Sequence, residues 1–96
     1  MATRARSVAH CPPEMLDDIA DVLAEVLGWP EIVEKKPGVF YIRREPFLHF
    51  HLVEGGRRRA DVKSRGTWHQ LDLPRPLAAT KRRAFLRALR ARYDQR

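Results

Sequence analysis

The sequence predicts a two-layer α+β fold: an antiparallel four-stranded sheet with two helices on one face, in the order α-β-β-β-β-α. Three observations lead there. Apolar residues recur at spacings of three and four over residues 12–28 and again over about 77–93, the pattern of amphipathic helices. Between them, short runs of alternating polarity are punctuated by Pro37-Gly38, Gly55-Gly56 and Arg65-Gly66, the signature of strands joined by tight turns. A sheet with one apolar face needs a cover, and the two helices supply it.

With 96 residues the chain is expected to form one α+β domain over residues 12–96, preceded by a flexible N-terminal tail over residues 1–11. The single cysteine, Cys11, has no internal disulfide partner, and the tail carries Arg4 and Arg6 but no apolar run of signal-peptide kind. A cytoplasmic protein is therefore expected, with no membrane association and no cofactor. The net charge of +7 is unevenly placed, with −5 over residues 12–30 and +6 over residues 81–96. A basic total points to a polyanionic partner. The opposite charges of the two helical segments equally suit pairing with each other.

The first helix begins at Pro12 and Pro13, where a missing N–H is no loss. Leu16, Ile19, Ala20, Leu23, Val26 and Leu27 form its apolar stripe, and Glu14, Asp17, Asp18, Asp21 and Glu25 fall on what reads as a solvated face. Gly28 and Pro30 stop it. Residues 31–36 are expected to be a polar connection. Val39 to Arg43 form the first strand, and Phe47 to Val53 the second, with Leu48, Phe50 and Leu52 on one side and His49 and His51 on the other. A two-residue Gly55-Gly56 loop would set Phe50 against Asp61. A three-residue loop from Gly55 to Arg57 instead pairs Phe50 with Val62, Leu52 with Ala60, His51 with Asp61 and His49 with Lys63, and is preferred because register follows the buried face. A two-residue Arg65-Gly66 loop then pairs Val62 with His69, Ala60 with Leu71, Asp61 with Gln70 and Lys63 with Trp68. Pro74-Arg75-Pro76 ends the sheet. The second helix runs from about Leu77 or Thr80 to about Tyr93, burying Phe85, Leu86, Leu89 and Tyr93 and exposing Arg83, Arg87 and Arg90. Lys81, Arg82 and Arg83 near its start oppose the helix dipole, which calls for an anion or the acidic first helix beside them.

The uncovered face carries Tyr41, His49, His51, Arg59, Asp61, Lys63 and Trp68, followed by Gln70 and Asp72. Its first reading is a binding or assembly module without chemistry, since aromatic and arginine side chains, with Phe47 and Val53 alongside, match protein interfaces and would allow a homodimer. The second is a nucleic-acid platform in which Tyr41 and Trp68 stack bases while Arg57, Arg58 and Arg59 meet phosphates. The third is a metal-dependent or small-molecule enzyme centred on His49, His51 and Asp61, two imidazoles and a carboxylate, with no third histidine expected on that face. No nucleophile motif or glycine-rich phosphate loop accompanies them. The binding module leads, with nucleic acid as the partner to test.

The run Phe47-Leu48-His49-Phe50-His51, followed after a glycine turn by Ala60-Asp61-Val62, resembles the F-x-H-x-H and A-D-V signature of the luciferase domain family, over about residues 38–64 with a looser likeness in the Leu86 to Tyr93 helix. The resemblance implies a small bacterial protein and marks His49, His51 and Asp61. The order of elements, with Phe40-x-Ile42 before Phe47, is also similar to the MmcQ/YjbR family, a small α+β group often labelled DNA-binding.

Overall fold

The structure, a computed structural model, describes residues 9–96. Among the described residues it is α+β with two α-helices, but the sheet has six strands rather than four. In chain order these are β1 (Ala9–His10), β2 (Ile32–Lys36), β3 (Val39–Ile42), β4 (Glu45–Val53), β5 (Arg57–Ser64) and β6 (Thr67–Asp72). The sheet order is β2-β3-β4-β5-β6, all antiparallel, with β1 paired to the far end of β4. Helix α1 (Ala20–Leu27) follows a 3₁₀ helix over Pro13–Ile19, and α2 (Ala79–Asp94) closes the chain.

Both additional strands lie where sequence patterning is weakest. Residues 31–36, expected as a polar connection, form the edge strand β2. An edge strand needs only one partner, and of its five residues only Ile32 is buried, so no apolar alternation marks it. The tail expected over residues 1–11 lies outside the described residues up to residue 8. Its end is not free: Ala9 pairs with Leu52, His10 pairs with His51, and the Cys11 N–H donates to the Phe50 carbonyl at 3.1 Å, leaving Cys11 wholly buried.

The β4–β5 turn has three residues as expected, but it spans Glu54–Gly56, one position earlier. Phe50 therefore faces Ala60, Leu48 faces Val62, His49 faces Asp61 and His51 faces Arg59. The expected pairing is displaced by two residues, and side chains alternate with period two, so the displacement by itself moves no side chain to the other face. Gly55 and Gly56, at φ 84° and 75°, supply the left-handed backbone this turn uses. The β5–β6 pairing agrees residue for residue with the Arg65-Gly66 expectation.

Phe47 belongs to the core, not to the uncovered face. The β3–β4 ladder shifts between Phe40–Leu48 and Tyr41–Pro46, a bulge that turns Phe47 inward against the edge of the Tyr93 ring, centroids 6.0 Å apart. Both helices cover this inner face. Helix α2 packs on β5 and sends Phe85 against Phe50 at 6.4 Å, while α1 packs on β2. Phe85, Leu89 and Tyr93 are buried and Leu86 partly so, while Arg83, Arg87 and Arg90 point outward as expected. On α1 the stripe is rotated: Val22 is buried, whereas Leu27 is 47% exposed.

One buried cation ties these layers together. Arg58, expected in the outer basic field, lies on the inner face at 1% exposure. Nε donates to Leu73 O at 3.1 Å, Nη1 to Met15 O at 2.6 Å and Asp18 Oδ1 at 2.7 Å, and Nη2 to Asp18 Oδ2 at 3.0 Å and Pro74 O at 2.6 Å. Every guanidinium N–H thus has a partner, as burial of this side chain demands. Asp18, expected on the solvated helix face, also accepts the Leu77 N–H at 2.7 Å. The 3₁₀ helix, the end of β6 and the approach to α2 all meet at this ion pair. At the surface, Arg82 reaches Asp21 and Arg75 reaches Asp17, so the acidic first helical segment does lie beside the basic start of α2.

Candidate binding face

The face turned away from the helices is made by alternate residues of β3 to β6. Tyr41, His49, His51, Arg59, Asp61, Lys63 and Trp68, the residues singled out from sequence, all lie on it, because register and parity are those of the ladder above. The rings form a line across the sheet. His49 sits centrally, 6.1 Å from Tyr41, 5.4 Å from Trp68 and 6.2 Å from His51 by ring centroids. Lys35 Nζ stands over the Tyr41 ring at 5.2 Å and Lys63 Nζ over Trp68 at 5.8 Å. Trp68 remains 40% exposed, ample for a partner to contact.

The acids on this face are occupied. Asp61 accepts a forked pair from Arg59, Nε at 2.7 Å and Nη2 at 3.0 Å, and lies 3.4 Å from His51 Nε2. Arg57 approaches Asp72 at 3.8 Å, and at the turn end of β4 Lys63 approaches Glu45, which is in register with Ile42 rather than with this face, at 3.7 Å. Carboxylates that would repel phosphates are therefore locally balanced by cations. Among the described residues no group of three His, Cys, Asp or Glu side chains is arranged to hold a metal ion.

A third histidine does fall here. His10 pairs with His51 across β1 and β4, so it shares that face, and its charge acts on His49. A two-residue strand has no periodicity to reveal it. Burial lowers the His49 pKa below the usual 6.5, the charges of His51, His10 and Lys36 push the same way, and Asp61 opposes them. His49 Nε2 is also buried with no hydrogen-bond partner.

These two facts give a stability prediction. His49→Phe keeps a ring in place and removes the orphaned polar atom, and is expected to stabilise the fold by about 1 kcal/mol. Because the folded state resists a proton that the unfolded chain accepts below about pH 6.5, wild-type stability falls as pH drops through that value. The gap between variant and wild type should accordingly be wider at pH 5 than at pH 8 in urea unfolding; a constant gap would contradict this account.

No family model matches the chain, and neither a curated protein nor a solved structure matches it.

Proposed function

We propose that the protein is a non-catalytic binding module whose open sheet face takes single-stranded nucleic acid. The observation that carries this reading is the ring line Tyr41–His49–Trp68, flanked by Lys35 and Lys63, on a sheet face whose acids, Asp61 and Asp72, are matched by Arg59 and Arg57. Stacking platforms of this kind bind strands through the faces of the bases, and nearby cations meet the backbone. A neutral His49 adds stacking area without demanding a counter-charge. The overall charge of +7 favours a polyanionic partner.

The test is fluorescence anisotropy with a labelled single strand of roughly 12 nucleotides. Binding should be strongest at low salt and fall steeply as salt rises. Trp68→Ala should weaken it about tenfold, the loss of one base–aromatic stack. No binding at low salt, or full binding by Trp68→Ala, would leave the platform reading without support.

One observation favours a second reading, an enzyme centred on His49, His51 and Asp61, the positions marked by the likeness to the luciferase domain family. It is the Nε2 of His49, a buried ring nitrogen that no protein group among the described residues engages. Metal content of the purified protein by elemental analysis separates this reading's metal-dependent form from the first.

A further inference from the structure

At the end of the sheet away from β1, the β3–β4 turn (Arg43-Arg44) and the β5–β6 turn (Arg65-Gly66) close around a groove of about 930 Å³ near Arg96. Arg43, Arg44, Lys63, Arg65 and Arg96 line it against two acids, Glu31 and Glu45. Glu31 is already held by Arg43 Nε at 2.7 Å and by Arg96 at 3.6 Å, and Glu45 by Lys63 at 3.7 Å. Arg44 has no carboxylate partner among the described residues. Among the described residues Arg65 spends only its Nε, on the Gln95 carbonyl at 2.9 Å. Two guanidinium forks are therefore free at the mouth of a concave, basic site.

The backbone singles out the same place. Among the described residues, the non-glycine positions with left-handed φ are Glu31 (69°), Arg43 (56°) and Arg65 (52°), and all three line this groove. Turns of this kind ordinarily take glycine or asparagine, so arginine at both puts charge where glycine would be easier. We propose that this groove binds closely spaced phosphate groups, as in an oligophosphate or the backbone of a nucleic acid strand. Guanidinium forks recognise phosphate by paired charge-assisted hydrogen bonds, and two of them beside Lys63 and the Arg43–Glu31–Arg96 cluster match adjacent phosphates better than one. The site shares Lys63 with the stacking platform but uses none of its rings.

The probe is inorganic tripolyphosphate, titrated calorimetrically at low salt into wild type and three variants. The double variant Arg44→Ala with Arg65→Gly removes both free forks, and glycine relieves the turn at position 65, so its melting temperature should not fall through that change. Wild type should bind, the double variant at least about tenfold more weakly, since each tenfold step is the loss expected for a charge-assisted contact. Trp68→Ala, and Arg83→Ala with Arg87→Ala on the outer face of α2, should bind as wild type does. No binding by wild type, an unaffected double variant, or equal weakening by the α2 variant would each overturn the proposal. Displacement of a bound oligonucleotide by tripolyphosphate assigns the groove to a strand's backbone, and undisturbed oligonucleotide binding assigns it to a free oligophosphate. Loss of oligonucleotide binding in Trp68→Ala with tripolyphosphate binding retained separates the two sites.

Discussion

Arg58→Ala is expected to destabilise the fold by about 3–5 kcal/mol, the effect of breaking a buried ion pair and leaving its other charge uncompensated. The residue left behind is Asp18, whose two oxygens lose the guanidinium fork while Met15, Leu73 and Pro74 each lose a donor to their carbonyl. Against a total stability of about 5–15 kcal/mol for an ordinary domain, such a loss brings the variant close to unfolding at ambient temperature. Arg58→Lys should fall between, since an ammonium keeps the charge but has three donors in place of five and cannot make the fork. Urea unfolding of the three proteins decides it, and a loss under about 1 kcal/mol for Arg58→Ala would show that the clasp is not what joins the layers.

The same pair sets the acid limit of the fold. Burial alone would raise the Asp18 pKa, but hydrogen bonds from Arg58 and the Leu77 N–H, with the Arg58 charge, outweigh it and hold the carboxyl below the usual 3.8. A depressed carboxyl contributes stability in full above its unfolded value and loses it as pH falls through the folded one. Wild type should therefore lose stability below about pH 4, and Arg58→Ala should lose less over that interval because the depressing partner has gone.

Phe50→Ala should cost about 3–5 kcal/mol, whereas His51→Ala, one residue along the strand, should change stability by no more than about 1 kcal/mol. Phe50 is fully buried between the sheet and the ring of Phe85, so truncation opens a cavity that neighbouring strands cannot close. His51 lies on the outer face with a 3.4 Å contact to Asp61, a carboxylate that Arg59 already holds. Comparable losses at both positions would refute the assignment of strand faces on which the binding surface depends.

That assignment was legible in the sequence because it needs only parity. Pairing Phe50 with Val62 in place of Ala60 is a displacement by two, and two is the repeat of a strand, so His49, His51, Arg59 and Asp61 face outward in either register. The buried stripe of α2 was legible for a similar reason, since Phe85, Leu89 and Tyr93 repeat at helical spacing. What escaped depends on contacts between distant residues. Three consecutive arginines, Arg57 to Arg59, read as a surface patch; alternation with Ala60 and Val62 puts the middle one on the inner face, but nothing local says that it meets Asp18, 40 positions away. Strand β2 escaped because four of its five residues face solvent, and β1 because two residues carry no period. Phe47 reads as outward from alternation alone because a bulge shifts the phase of β4 at that point.

The attachment of residues 9–11 to β4 gives the chain an intrinsic gauge of local opening. Cys11 is enclosed on the inner side of the sheet, and burial pushes its thiol above the usual value despite the nearby charges of Arg58 and Arg75. A protonated, shielded sulfur is a poor nucleophile. Its reaction with a thiol reagent is therefore governed by how often this short edge peels from the sheet, so alkylation kinetics on the unmodified protein measure the fraying of one margin separately from global unfolding.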